Sequence, residues 1–246
     1  GVQTCALPIS ILDKVFAASF PYRHDGNPAL RYPSPLEDGV KATPFSFLSG
    51  KNTLRGYRYF PNGKAKALLV FFHGALAGHT AYTQLIVSFV RQGYLVYAYD
   101  FTGCMTSDGK DCNGMGQPLL DQRAFFAFLD KDIDAAGLRR FAAGHSWGGF
   151  TALACLQPQY KVEKVVNLAG FNSVADLASF SVKNEKIKPI LRGYLKRKYG
   201  PIGNFNAIEW MQKTEKEVLC VSGSRDDVVD TDAFFHRYQK EGTNPH

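Results

Sequence analysis

The stretch Gly144-His145-Ser146-Trp147-Gly148-Gly149 constrains the fold of this 246-residue chain more than any other feature. It follows an apolar run, Leu138–Ala143, and precedes a helix-forming run, Phe150–Leu156. A G-x-S-x-G motif between a strand and a helix is typical of a nucleophile elbow, in which glycines leave room for a crowded turn. We therefore expect Ser146 Oγ to stand above the sheet edge and the Trp147 N–H to lie at a helix N-terminus.

The alternative interpretation of this stretch is a glycine-rich turn without chemistry, because a short motif of common residues also arises by chance. The predicted strand before it and the predicted helix after it weaken that alternative. Two further loops of the chain, described below, weaken it again.

Apolar runs that alternate with helical patterns predict the rest of the fold. Besides the strand before the elbow, the predicted buried strands are Ala65–Phe72, Tyr94–Tyr99, Val162–Ala169 and Val218–Ser222. The predicted helices are Thr80–Gln92, Pro118–Asp130 and Thr231–Lys240. The alternating runs Pro44–Leu48 and Leu54–Phe60 predict an antiparallel hairpin at one edge. The fold class is α/β, a mostly parallel sheet with helices on both faces.

Two loops after predicted strands carry candidate site residues. His73-Gly74-Ala75 follows Ala65–Phe72, and in this architecture that loop supplies a second oxyanion N–H, so Ala75 is the candidate donor beside Trp147. We interpret His73 as a residue that only orders the turn. Asp226 follows Val218–Ser222 and is the candidate acid that orients a histidine. Asp227 is the second choice for this role, and a turn or cap acid is the alternative interpretation.

These motifs together resemble the α/β-hydrolase superfamily, near monoacylglycerol lipases and serine aminopeptidases. The matching pieces are His73-Gly74-Ala75, the elbow, Tyr94–Asp100 with its glycine-bearing loop, and Gly223-Ser224-Arg225-Asp226. The resemblance covers about Phe45 to the end of the chain. It implies an acyl-enzyme on Ser146, an oxyanion hole at Ala75 and Trp147, and a helical cap formed by Phe171–Glu217 with breaks at Pro189 and Gly200-Pro201.

The resemblance also implies a catalytic histidine in a loop after one more strand. His236 falls in a helical pattern, His246 has no strand before it, and His24, His73, His79 and His145 come too early. We therefore expect that the catalytic histidine is not present in this chain and that a C-terminal strand and helix are missing. Without its general base, the chain itself is expected to be weakly active or inactive.

The expected domains are a hydrolase domain over residues 43–246, an N-terminal extension over 10–42, and an artefact over 1–9. The artefact is inferred because Gly1–Ile9 resembles a translated sequencing adapter. The natural N-terminus, and any signal it held, is then expected to be lost.

Three reactions or roles stay open on these residues. The first is hydrolysis of a carboxylic ester, with a lipid or thioester as possible substrate. The second is a peptidase or amidase on the same site, because esters and amides use the same oxyanion hole. The third is a non-catalytic module, supported by the missing histidine and opposed by the intact elbow.

Charge, motifs and cysteine content limit the classes of partner and cofactor that we expect for this chain. The net charge is +7, and Lys183–Lys198 holds seven basic residues against one acid. This segment is either a solvated helical face or an attractor of anionic substrate or membrane surface, and no nucleic-acid recognition motif accompanies it. No metal-ligating spacing and no phosphate-binding glycine loop occur, so we expect no metal and no cofactor. Cys104 and Cys112 could pair across their loop, but their spacing gives little support. Sparse cysteine use favours the cytoplasm.

Overall fold

The computed structural model describes residues 22–36, 39–226 and 228–242. Within them, seven strands form one sheet in the order β1-β2-β4-β3-β5-β6-β7. The strands are β1 (Lys41–Ser49), β2 (Asn52–Phe60), β3 (Ala67–Phe72), β4 (Tyr94–Tyr99), β5 (Arg140–His145), β6 (Val162–Leu168) and β7 (Glu217–Val221). Gly1–Ile9, Asp227 and His246 lie outside the described residues.

The sheet is parallel from β4 to β7, and the β1–β2 hairpin adds two antiparallel strands at the β4 side. Each strand predicted from an apolar run is present, and its limits shift by a few residues. The sheet therefore confirms the predicted mostly parallel α/β architecture with an antiparallel hairpin at one edge.

The described residues form the helices that cover this sheet. They are α1 (Thr83–Arg91), α2 (Gln117–Leu129), α3 (Trp147–Ala154), α4 (Val174–Ser181), α5 (Lys188–Tyr199), α6 (Ala207–Met211) and α7 (His236–Glu241). A 3₁₀ turn, His79–Tyr82, precedes α1.

Helices on two faces explain why β3 reads as an uninterrupted apolar run. All six residues of β3 are buried. Leu69 and Phe71 belong to a core cluster with Ile86 of α1, whereas alternate residues belong to a second cluster with Phe125 of α2. A strand that alternates between two apolar layers has no face on which to place polar residues.

Proline marks the start of α5 and not a break in it. Pro189 was predicted to interrupt the helical segment, but it lies in the first turn of α5. Proline is tolerated there because its missing N–H would have no partner within the helix. Gly200, with φ of 73°, follows the last residue of the helix as predicted.

A short segment before the sheet lies along the loop that follows β4. His24 N donates to Gly103 O at 2.8 Å, and Met105 N donates to His24 O at 2.9 Å. The Arg23 guanidinium donates to three carbonyl oxygens of the same loop, those of Met105, Ser107 and Gly109. The described N-terminal residues are thus fixed onto this loop by both main-chain and side-chain hydrogen bonds.

No helix of the described residues combines the length and the apolar character that crossing a bilayer requires.

Candidate active site

Ser146 lies in a strained turn between β5 and α3. Its φ of 55° and ψ of −115° are rare for a residue with a side chain. Two hydrogen bonds hold this backbone: Ser146 N donates to Leu168 O at 2.7 Å, and Phe150 N donates to Ser146 O at 3.0 Å. Ser146 is half-buried, so its side chain remains reachable at the carboxyl end of the sheet. This is the geometry expected for a nucleophile elbow.

Close backbone approach explains the glycine at position 148. A Cβ built on Gly148 would lie 2.1 Å from Phe72 O, the last carbonyl of β3. A Cβ on Gly144 would lie 2.1 Å from Gly148 O. The elbow therefore lies tightly against the end of β3 and is closely folded on itself, and a side chain at either position would push it open.

The loop after β3 presents three consecutive amides with different partners. Gly74 N donates to Tyr82 Oη at 3.2 Å, and Leu76 N donates to His24 Nδ1 at 3.1 Å. The Ala75 N–H between them makes no hydrogen bond to any part of the chain that the structure describes. Leu76 has φ of 58°, which bends the loop at that point. Both neighbours of Ala75 are thus anchored, whereas the Ala75 N–H has no acceptor among the described residues.

Trp147 is the first residue of α3, and the first amides of a helix direct their N–H away from the helix body. Its indole is buried and donates from Nε1 to Met115 O at 2.8 Å. The side chain therefore fixes the start of α3 against the loop that precedes α2.

His73 orders the loop through both ring nitrogens. Nδ1 lies 2.8 Å from Gly74 O, and Nε2 accepts from Phe101 N at 3.0 Å, which places the ring proton on Nδ1. Burial lowers the pKa of His73 from 6.5 to about 4, so the ring stays neutral. This arrangement agrees with the interpretation of His73 as a residue that orders the turn.

A buried pair behind the loop was not found from the sequence. Asp100 Oδ1 accepts from His79 N at 2.9 Å and lies 2.7 Å from His79 Nδ1. Burial opposes ionisation of Asp100, but the charge and hydrogen bonds of His79 outweigh it and hold the pKa of the carboxyl below its usual value. The pair joins the end of β4 to the turn before α1. The position of Asp100 after an apolar strand was the available signal.

Asp226 lies in the turn after β7. Its Oδ1 accepts from Val228 N at 3.1 Å and from Val229 N at 2.9 Å. Burial lowers the pKa of His145, and the negative charge of Asp226 raises it in part. The carboxylate therefore lies within electrostatic reach of the residue next to Ser146, at the same edge of the sheet.

Each histidine among the described residues has a partner elsewhere. His236, in α7, lies 2.7 Å from Asp232 Oδ1, and His145 Nδ1 lies 2.8 Å from Tyr82 Oη. His24, His73 and His79 contact Leu76, the strand-end backbone and Asp100. No hydrogen bond from these rings to Ser146 Oγ or to the Asp226 carboxylate is seen within the described part of the chain.

The strained serine turn, the anchored loop and the parallel sheet define an α/β-hydrolase with a serine elbow. The sequence profile of the family described as serine aminopeptidase, S33, matches residues 63–199, which is more than half of the chain. The chain therefore belongs to this family of serine hydrolases, as its motifs indicated. No curated protein sequence matches it.

Solved structures share the fold at low sequence identity. An esterase from Pyrococcus furiosus is 18% identical, covers 91% of this chain and 87% of its own, and has a TM-score of 0.65. Acetyl xylan esterase 1 from Thermoanaerobacterium is 18% identical, covers 99% and 87%, and has a TM-score of 0.64. The acylaminoacyl peptidase of Pyrococcus horikoshii is 17% identical, and the match covers 83% of this chain and 36% of the peptidase, with a TM-score of 0.60.

Proposed function

We propose that the chain is built to hydrolyse carboxylic esters through an acyl-enzyme on Ser146. The observation that carries this proposal is the strained Ser146 turn facing a loop whose neighbouring amides are anchored while the Ala75 N–H has no acceptor in the described chain. Strain of this kind persists where the surrounding structure enforces it, and it clusters at sites of chemistry. Two of the structural neighbours are esterases, which supports the same substrate class.

In this mechanism Ser146 Oγ attacks the ester carbonyl and forms a tetrahedral intermediate. The negative oxygen of the intermediate accepts hydrogen bonds from the Ala75 and Trp147 amides, which need no reorganisation because their loops are already fixed. A general base takes the proton of the Ser146 hydroxyl during the attack and returns it to the leaving oxygen as the intermediate collapses, so that the ester C–O bond breaks and the alcohol departs. Water then gives a proton to the same base and attacks the acyl-serine, which releases the carboxylic acid and returns the proton to Ser146 Oγ.

Among the residues that the structure describes, no histidine ring is hydrogen-bonded to Ser146 Oγ, so we propose that the general base of this mechanism lies outside them. The described histidines are held by other partners, and His73 stays neutral through burial. Asp226 is proposed to orient a catalytic histidine, because it lies at the sheet edge that bears Ser146 and its charge reaches His145. Its contacts with Val228 N and Val229 N also fit a turn acid, which remains the alternative.

Residues 171–217 are proposed to cap the site. The apolar side chains of this segment are candidates to line an acyl pocket, but several of them are buried in the core, among them Phe171, which stacks on Phe150 at 4.5 Å between ring centroids. Phe180 is 39% exposed and remains a candidate to contact an acyl chain. Arg192, Lys196 and Arg197 of α5 are exposed, so they could attract an anionic substrate or membrane surface.

A peptidase or amidase is the second candidate. The family description and the fold shared with an acylaminoacyl peptidase favour it. The Ala75 and Trp147 amides would bind an ester or amide oxyanion alike, so the leaving group must be tested directly.

Imidazole in solution can act as the base for a serine that no histidine contacts, and this allows a test on this chain. Hydrolysis of p-nitrophenyl butyrate and of an aminoacyl p-nitroanilide would be measured with rising imidazole, in parallel for the parent and Ser146→Ala. After subtraction of the rate at which imidazole cleaves the ester without protein, we expect an imidazole-dependent rate for the parent that is lost in Ser146→Ala. Preference for the anilide would favour the peptidase.

Equal rates for the parent and Ser146→Ala would overturn the nucleophile assignment. Acylation of Ser146 provides an independent readout, because a fluorophosphonate adds a fixed mass to the reactive serine. Failure of both the imidazole and the fluorophosphonate experiments would favour the non-catalytic module.

A further inference from the structure

Three side chains with metal-ligating atoms meet beneath the loop that follows β4. His24 comes from the N-terminal segment, and Cys104 and Cys112 come from the loop itself. All three are buried, and their ligand atoms lie within 4.8 Å of one another. Cys104 and Cys112 are free thiols with their sulfurs 3.7 Å apart, and no disulfide joins them. The sequence showed no metal-ligating spacing because one ligand is 80 residues away from the next.

The backbone fixes the positions from which these side chains project. The two hydrogen bonds between His24 and the Gly103–Met105 backbone set the imidazole beside Cys104. The Arg23 guanidinium, bound to the Met105, Ser107 and Gly109 carbonyls, fastens the same segment on the other side. The cluster is therefore arranged by main-chain contacts that do not depend on the thiols.

We propose that His24, Cys104 and Cys112 form a binding site for a thiophilic divalent cation of the zinc type. Two sulfurs and one imidazole nitrogen are a donor set that Zn²⁺ takes with water in the fourth position. Zinc–sulfur bonds of about 2.3 Å at a tetrahedral angle separate two sulfurs by about 3.8 Å. The observed separation of 3.7 Å needs almost no movement to meet this geometry.

The orientation of His24 identifies the ligating nitrogen. Nδ1 accepts the Leu76 N–H at 3.1 Å, so the ring proton is on Nε2. Because Nδ1 is engaged by Leu76, we assign Nε2 as the ligating nitrogen, at which a cation would take the place of the ring proton. In the bound state the ring proton moves to Nδ1, because a ligating neutral imidazole keeps one N–H.

This change links the cation to the oxyanion loop. With a proton on Nδ1, His24 can no longer accept from Leu76 N, and the loop loses the anchor on the Leu76 side of Ala75. The loss of one neutral hydrogen bond is small beside coordination by two thiolates, so the cation is expected to prevail. The effect on catalysis rests on the proposed function, whereas the site itself does not.

The test uses Co²⁺, which reports thiolate coordination by intense sulfur-to-metal absorption. The full chain would be stripped with a chelator under reducing conditions and titrated with Co²⁺ and then with Zn²⁺. We expect one Co²⁺ per chain, a tetrahedral spectrum, and displacement by one equivalent of Zn²⁺. Cys112→Ser should weaken Co²⁺ binding by about 100-fold. Loss of a residue that only supports a ligand already costs about 10- to 100-fold in affinity, and Cys112 would be a ligand itself. Cys220→Ser, half-buried in β7, is the matched control and should bind like the parent.

A second measurement needs no substitution and so does not depend on how a variant folds. Iodoacetamide labelling in mild denaturant, read by mass spectrometry, should show that Zn²⁺ protects Cys104 and Cys112 but not Cys155 or Cys220. Amide hydrogen exchange at Leu76 should lose protection when Zn²⁺ is added.

Absence of the thiolate absorption, together with labelling of Cys104 and Cys112 that Zn²⁺ does not change, would overturn the proposal. Formation of a Cys104–Cys112 disulfide by dilute peroxide without any protection by Zn²⁺ would also overturn it, in favour of a redox pair. Neither result would bear on Ser146, whose acylation is tested by fluorophosphonate.

Discussion

The hydroxyl of Tyr82 lies 2.8 Å from Nδ1 of His145, the residue immediately before the candidate nucleophile. The same hydroxyl accepts the Gly74 N–H at 3.2 Å, so its proton is directed to His145. One tyrosine thereby connects the loop that carries Ala75 to the elbow that carries Ser146. The two halves of the candidate site are held in register by a contact between a turn before α1 and the end of β5.

Tyr82→Phe removes this connection and keeps the ring. One hydrogen bond contributes about 1 kcal/mol, so kcat for ester hydrolysis in added imidazole should fall about fivefold with little change in KM. Tyr94→Phe, at the opposite end of the sheet, is the matched control and should leave both constants unchanged. An unchanged kcat in Tyr82→Phe would show that the loop keeps its position without the tyrosine.

A methyl group at Gly148 should open the elbow. Its Cβ would lie 2.1 Å from Phe72 O at the end of β3. β3 is paired with β5, the strand before the elbow, so the two cannot separate without loss of their hydrogen bonds. We expect Gly148→Ala to lower the free energy of unfolding by about 3 kcal/mol. Gly193→Ala is the control, because a Cβ there meets nothing within 4 Å and α5 should gain about 1 kcal/mol. Urea denaturation measures both, and similar values for the two variants would contradict the crowding argument.

Backbone strain at Ser146 should lower the free energy of unfolding, and a residue that relieves the strain should raise it. Glycine adopts φ of 55° with ψ of −115° far more readily than alanine. Ser146→Gly and Ser146→Ala both remove the hydroxyl, so their difference isolates the backbone. We expect the glycine variant to be more stable by about 1 kcal/mol. Equal unfolding midpoints with equal m-values would mean that the turn is relaxed.

The folded protein should become less stable as the pH falls, because of His73. The pKa of His73 is about 4 in the folded protein and 6.5 ordinarily. Between these two pH values, His73 is therefore protonated in the unfolded chain and neutral in the folded protein. The contribution is complete above pH 6.5 and is lost as the pH falls toward 4, by about 3 kcal/mol in total.

His73→Gln does not titrate, so its free energy of unfolding should change less between pH 7 and pH 4.5. The lowered pKa of His145 acts in the same direction as that of His73, and the raised pKa of buried Asp121 acts in the opposite direction. Both groups are retained in the variant, so the difference between the two curves reports His73. Parallel curves would show that another group controls acid stability.

The sheet and the elbow could be predicted because their signals are local. β3 is an unbroken apolar run, and the G-x-S-x-G motif places glycines where two strands leave no space. Pro189 was read wrongly because a proline before a helical run can either start the helix or break it. The choice depends on whether the preceding residues are helical, which propensity alone does not decide.

The contacts around the candidate site could not be predicted, because they join residues far apart in the sequence. Tyr82 meets His145 across 63 positions, and His24 meets Leu76 across 52. No periodicity records such pairs, since each depends on how β3, β4 and β5 are ordered in the sheet. The sequence showed a tyrosine in a helical pattern and a histidine in a proline-rich segment, both without an evident partner.

The hydrogen bonds from Arg23 to the loop after β4 show that the start of the family match is not the start of the residues that hold this part of the fold together. The part shared with the family begins at residue 63, but three carbonyls within it are capped by a guanidinium that lies 40 positions earlier. A protein trimmed to the shared region would expose those carbonyls to water and would also lose the β1–β2 hairpin. The region matched by the family profile is therefore held in part by residues that lie outside it.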